Sequence, residues 1–109
     1  MSREIVESEA AITDVIDAAD YIANRWGLDA SDRFLDSVKE GYRLLAVMPG
    51  IGSMRDFGDP SLAGMRSWPV PRFRKYLIFY IATEERLKIL HVLHGARNIE
   101  EMFPPADDE

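Results

Sequence analysis

Between Tyr76 and Arg97 the chain reads YLIFYIATEERLKILHVLHGAR, and this stretch restricts the possible folds more than any other. One apolar run extends from Tyr76 to Ile81, a polar break follows at Thr83-Glu84-Glu85-Arg86, and a second apolar run extends from Leu87 to Leu93. Both runs are too short for helices and rich in β-branched and aromatic residues, so they form the two central strands of a β-hairpin. Alternate side chains of a strand face opposite sides of its sheet. Tyr76, Ile78 and Tyr80 therefore share one face of the first strand, and Leu77, Phe79 and Ile81 the other. In the second strand Leu87, Ile89 and Leu93 oppose Leu90 and Val92. A sheet wet on one side alternates apolar with polar. This hairpin is apolar on both sides, so it needs two covers, or one cover and a partner.

The preceding chain supplies one cover. Residues 3–7 form a short first strand, and Ser8 caps a helix with Glu9 beside its positive end. Ile12, Val15, Ile16, Ala19, Ile22, Ala23 and Trp26 recur at helical spacing, and Gly27 ends the helix. Asp14, Asp17 and Asp20 read as its solvated face and not as a metal site. Asp29 caps a second helix with the stripe Ala30, Phe34, Val38, Gly41 or Tyr42, Leu45 and Met48, stopped by Pro49-Gly50. Residues 49–64 are a glycine- and proline-rich loop without the Gly-Lys-Ser/Thr of a phosphate loop. Met65 to Val70 is a strand that Pro69 confines to an edge or bulge. After the hairpin, Ile99, Met102 and Phe103 have the spacing of a short helical turn, and 103–109 is an acidic tail that frays.

The expected fold is α+β, in the order β-α-α-β-β-β with a short C-terminal helix, an antiparallel sheet packed on a helix hairpin. It is a single domain over residues 1–109. The terminal turn is too small to cover the second sheet face, which leaves an apolar patch for a partner.

Charge and composition exclude several functions. With no cysteine there are no disulfides, thiolate chemistry or Cys-ligated metal. No apolar run is long enough to span a bilayer, so a cytoplasmic protein is expected. The formal charge of −6 argues against a general polyanion binder. Residues 66–99 nevertheless hold seven cations against Glu84 and Glu85, while the last ten residues hold five acids. His91 and His94 stand three apart in one strand and point to opposite faces, so they do not chelate one metal. Arg66, Arg72, Arg74, His94 and Arg97 form the one constellation suited to chemistry, a phosphate clamp with a histidine to take a 2′-hydroxyl proton.

Gly64-Met65-Arg66, Pro69-Val70, Tyr76-Leu77-Ile78-Phe79-Tyr80 and Ile89-Leu90-His91-Val92-Leu93-His94-Gly95-Ala96-Arg97 resemble the ParE toxins of the ParE/RelE superfamily. Tyr21-Ile22, Gly27-Leu28, Phe34 and Met48-Pro49-Gly50-Ile51-Gly52 fit the same pattern. The resemblance implies a type II toxin neutralised by a ParD-like antitoxin and acting on DNA gyrase by binding, with no cofactor, metal or sequence-specific nucleic-acid contact. The RelE branch, which cuts mRNA on the ribosome, is the alternative, with Arg66, His94 and Arg97 as its catalytic residues. Its catalytic tyrosine falls near Phe103 here, and those nucleases are strongly basic. A family member that only binds its antitoxin is a third reading. Target contact is expected at Trp68, Arg72, Arg74 and Arg97. Antitoxin contact is expected at Ile16, Ile22, Phe34, Val38, Leu45, Arg66, Tyr80 and Ile89.

Overall fold

A computed structural model describes residues 2–95. The expected terminal helical turn, the acidic tail and Arg97 lie outside the described residues. Strand β1 (Glu4–Glu7) leads into helices α1 (Glu9–Trp26) and α2 (Leu28–Val47); strands β2 (Ser53–Met54), β3 (Arg66–Val70), β4 (Phe73–Ala82) and β5 (Arg86–His94) follow. The sheet order is β1-β5-β4-β3-β2. It is α+β with a helix hairpin on one face, as expected. Two features differ: a short β2 forms inside the expected loop, and β1 joins β5 in parallel, so the sheet is mixed.

The helix hairpin turns on a single residue. Gly27 closes α1, donating its N–H to the Ala23 carbonyl, and its own carbonyl accepts from Ser31 in α2. Its φ of +97° lies where a side chain is strained, which is the reason for glycine there. It also takes the N-cap position expected for Asp29, which instead sits in the first turn of α2. Ser8 caps α1 as expected, its Oγ accepting from the Ala11 N–H at 2.9 Å and donating to the Leu90 carbonyl at 2.8 Å.

The inward stripe of α1 differs from the expected one by a step around the helix. Ala11, Ala18, Ala19 and Ile22 are buried, whereas Ile12, Ile16 and Trp26 are 44, 54 and 68% exposed. The inner face is built of small side chains that let α1 lie close to α2 and β5, and the bulky residues of the adjoining stripe are left outside. The stripe of α2 holds: Ala30, Phe34, Val38, Tyr42 and Leu45 are buried, although Met48 is exposed.

Facing the helices, Ile78 and Tyr80 of β4 pack with Leu87, Ile89 and Val92 of β5. On the far side Phe79, Leu93 and Met65 form a second, smaller cluster, with Leu77, Ile81 and Leu90 partly buried around it. Val92 and Leu93 thus occupy faces opposite to those that plain alternation assigns. The cause is a bulge: Phe79 pairs with His91 but Tyr80 with Ile89, leaving Leu90 as the extra residue that reverses the alternation. The far face is also better covered than expected. Phe57 and Leu62, from the segment between β2 and β3, lie across it and help bury Met65 and Phe79.

Pro69 marks a second irregularity. Pro69 pairs with Leu77 but Val70 with Phe73, so Arg74, Lys75 and Tyr76 have no pairing partner on β3. A residue without an N–H placed where the ladder breaks agrees with the expectation for Pro69.

Asp14 does not belong to a solvated face. Its side chain is only 12% exposed, and its Oδ2 accepts from the Val92 N–H at 3.0 Å and meets His91 Nδ1 at 2.7 Å. β1 pairs β5 only as far as Ile89; beyond it Asp14 supplies the acceptor that a neighbouring strand would have supplied. Removing it leaves a part-buried N–H and an imidazole short of a partner, at about 1–3 kcal/mol. Asp14→Ala is accordingly expected to lower the urea midpoint of unfolding clearly, whereas Asp17→Ala, on the exposed side of α1, stays within ~0.5 kcal/mol of the parent. Equal midpoints for the two variants would remove Asp14 from the structure's supports.

Candidate functional site

The cations expected to act together are distributed between two ends of the sheet. At one end Arg66 pairs across the ladder with Tyr80 and lines a pocket of about 340 Å³ with Arg3, Pro49, Gly50, Gly64 and Thr83. Its Nη1 donates to the Gly52 carbonyl at 2.7 Å. Tyr80 is fully buried; its hydroxyl donates to the Pro49 carbonyl and accepts from the Gly52 N–H at 3.0 Å. Burial raises its pKa, offset in part by the Gly52 N–H and by Arg66. A phenol enclosed and bonded in this way fastens the 49–52 turn to the sheet and does not serve as a general base. Burial, reinforced by the charge of Glu7, also raises the pKa of Tyr42.

At the other end His94 pairs with Tyr76, their rings edge to face at 5.3 Å. Along β4, Tyr76 and Tyr80 are four residues apart, about 13 Å at ~3.3 Å per residue. Proton transfer needs groups within hydrogen-bond reach, so Arg66 and His94 do not form one catalytic set. Arg72, Arg74 and His94 do share a site. They line a pocket of about 400 Å³ with Lys75, Phe73 and Tyr76 of the sheet and Tyr21, Arg25 and Trp26 from the end of α1.

Local sequence explains this second pocket. Pro71-Arg72 is the two-residue connection between β3 and β4, and Arg72 holds a φ of +66°. Its guanidinium meets Glu40 of α2 at 2.8 Å, which lowers the Glu40 pKa and raises its own. The bulge that Pro69 introduces leaves Arg74 and Lys75 exposed beside the turn. Behind them Phe34, fully buried in α2, makes edge contacts with Phe73 at 5.3 Å and Tyr76 at 5.0 Å, fixing the two inner rings. Arg25 lies 5.8 Å from the Trp26 ring centre. The sequence reading missed the α1 wall; the signal available was Arg25-Trp26 immediately before the helix-ending Gly27.

The residues expected at a partner interface divide sharply. Ile16 is exposed and Arg66 half-buried. Ile22, Phe34, Val38, Leu45, Tyr80 and Ile89 are all at most 3% exposed, because they form the seam between helices and sheet. The helix stripes cover the sheet as expected, and the residues that do so are not exposed. Trp68 is half-buried against the helix-side core. Among the described residues no group of three His, Asp or Glu side chains could hold a metal, and no helix is long and apolar enough to cross a membrane.

Gly52 tests the tyrosine anchor. A Cβ there would stand 2.2 Å from the Tyr80 hydroxyl and 2.9 Å from the Ser67 carbonyl. Tyr80→Phe strands the two backbone groups, at about 1–3 kcal/mol. Gly52→Ala is expected to cost at least as much by expelling the ring. Both costs are read from urea denaturation. A Tyr80→Phe protein as stable as the parent would show that the 49–52 turn is held by other contacts.

The fold is shared with a solved structure titled "Chromosomal ParDE TA system from P. aeruginosa", with a TM-score of 0.68 over 85% of this chain and 96% of that chain at 15% identity. No curated protein matches the sequence. The family model described as "ParE toxin of type II toxin-antitoxin system, parDE" matches residues 5–99. The chain belongs to the ParE toxin family of type II toxin–antitoxin systems.

Proposed function

We propose that this toxin poisons DNA gyrase by binding it, and that a ParD-like antitoxin holds it inactive in a cytoplasmic hetero-oligomer. The observation that carries the binding mode is the separation of Arg66 from His94. The nuclease reading needs both at one phosphate, and they serve different pockets. Tyr80, the tyrosine beside Arg66, is buried and bonded through its hydroxyl to Gly52 and Pro49. A protein that acts by binding needs a surface, and the cations Arg72 and Arg74 at the β3–β4 turn supply one. Together with Trp68 of β3, and with Arg97 from outside the described residues, they are the proposed target contact.

The antitoxin surface follows from where the exposed apolar residues lie. Ile12 and Ile16 stand one turn apart on α1, and Trp26 and Leu28 flank the helix turn at 68 and 75% exposure. Fully burying such side chains stabilises by about 1.5–3 kcal/mol each, so a partner segment that covers them gains about tenfold or more in affinity per residue. An amphipathic antitoxin helix seated along α1 has this chemistry, with Arg66 available to a carboxylate of its extension. Of the helix and sheet residues expected at this contact, the exposed Ile16 supports a partner on the helix layer, whereas the buried Tyr80 and Ile89 are not open to one.

Two measurements test these readings. Purified toxin is expected to inhibit supercoiling by gyrase, accumulate cleaved DNA and leave transcripts intact in a translating lysate. Cut transcripts with unaffected supercoiling would establish the nuclease alternative; no effect in either assay would identify a member that only binds its antitoxin. Ile16→Asp and Leu28→Asp are each expected to weaken binding of the antitoxin encoded beside the toxin at least tenfold, with stability within ~0.5 kcal/mol because both sites are exposed. Unchanged affinity in both variants would move the antitoxin off α1.

A further inference from the structure

The pocket at the end of α1 has a composition that target or antitoxin binding does not by itself require. Four cations, Arg25, Arg72, Arg74 and Lys75, line it together with His94, and none of its lining residues is acidic. This occurs in a chain with a formal charge of −6. Arg72 already shares its charge with Glu40. Arg25, at the end of α1, and Arg74 and Lys75, side by side on β4, bring three further cations to the rim from two elements.

The rings are equally specific. Phe73 and Tyr76 are held against Phe34 and form the inner wall, while Trp26 and Tyr21 stand 68 and 42% exposed at the mouth. An indole left mostly in water beside a guanidinium is a face on which a planar group can stack, and stacking of a base on an aromatic ring contributes ~1–3 kcal/mol. A cavity of about 400 Å³ lies within the range of small-ligand sites. Cations alone would suit any polyanion, including an acidic peptide. Cations around an open indole suit an anion that carries a flat ring.

We propose that this pocket binds a nucleotide unit, a phosphate at the Arg25, Arg74 and Lys75 rim with its base stacked on Trp26. The unit is either a free nucleotide or one residue of a single strand, and recognition is by charge and stacking without sequence readout. The site goes beyond the toxin reading and needs neither gyrase nor antitoxin. Because Arg72 and Arg74 also belong to the proposed target contact, the test uses the isolated toxin, where a negative result leaves the gyrase reading intact.

Fluorescence anisotropy with fluorescein-labelled oligo-dT, competed by unlabelled dTMP or by polyglutamate, separates the possibilities. Oligo-dT is expected to bind the toxin with a salt slope, log K against log salt, of about −0.7, as one neutralised phosphate gives for a single strand. Trp26→Ala should weaken binding at least fivefold, the lower bound of a lost stack, with the salt slope unchanged. Arg74→Gln should weaken binding and flatten the slope, because one of the three cations around the phosphate is gone. Both residues are exposed, and unchanged thermal melts confirm that the fold is retained. Competition by dTMP identifies a free nucleotide as sufficient; competition by unlabelled oligo-dT alone identifies a strand. The proposal is overturned if oligo-dT and dTMP fail to bind, if Trp26→Ala binds like the parent, or if polyglutamate displaces the probe as well as oligo-dT does.

Discussion

The fold depends on one constraint: the β4–β5 hairpin is apolar on both faces, and each face must be kept from water. The helix hairpin covers one face through Phe34, Val38, Tyr42 and Leu45. The other is covered in part from within the chain, by Phe57 and Leu62 in the segment that connects β2 to β3. That segment is rich in glycine and proline and has no periodicity, so nothing in its pattern distinguishes a cover from a connecting loop. Its fastening is visible only in three dimensions, where Arg66 bonds the Gly52 carbonyl and the Tyr80 hydroxyl bonds Gly52 and Pro49. The segment is thereby tied to the sheet at one end before it crosses the far face.

Strands β1, β3, β4 and β5, both helices, the Ser8 cap, the Gly27 turn and the special position of Pro69 were legible because each rests on local chemistry. What was not legible rests on choices between nearly equivalent local alternatives. On α1 the stripe expected from spacing, Ile12, Val15, Ile16, Ala19, Ile22, Ala23 and Trp26, contains the buried Ala19 and Ile22 but omits the buried Ala11 and Ala18. The fold turns the small Ala11 and Ala18 inward with Ala19 and Ile22, and leaves Ile12, Ile16 and Trp26 outside. In β5 a single extra residue, Leu90, exchanges the faces of Val92 and Leu93, and plain alternation has no means of locating it. Asp14 stands in a row with Asp17 and Asp20, and only the end of β1 at Glu7 determines that it alone meets an open strand edge.

The same distinction explains the site. Arg66, Arg72, Arg74 and His94 are close in sequence and fall on consecutive strands, so composition groups them. Register separates them: Arg66 lies opposite Tyr80, and His94 lies opposite Tyr76. The grouping that does form includes Arg25 and Trp26, some fifty residues earlier in the chain, because α1 ends over the β3–β4 turn. Charge singles out one half of the chain, and topology determines which cations line one pocket.

Relocating the exposed apolar surface from sheet to helix changes what a partner must be. A bare sheet face calls for a flat, extended cover, and its residues, being central to the hairpin, would leave the toxin poorly folded when alone. The helix-layer surface of Ile12, Ile16, Trp26 and Leu28 lies outside a core that is already closed, with Phe34, Leu45, Ile78, Tyr80 and Ile89 all fully buried. A chain with this arrangement folds before it is bound. A partner that covers Ile12, Ile16, Trp26 and Leu28 would occupy a surface without completing a core, and its departure would leave the helix–sheet seam intact.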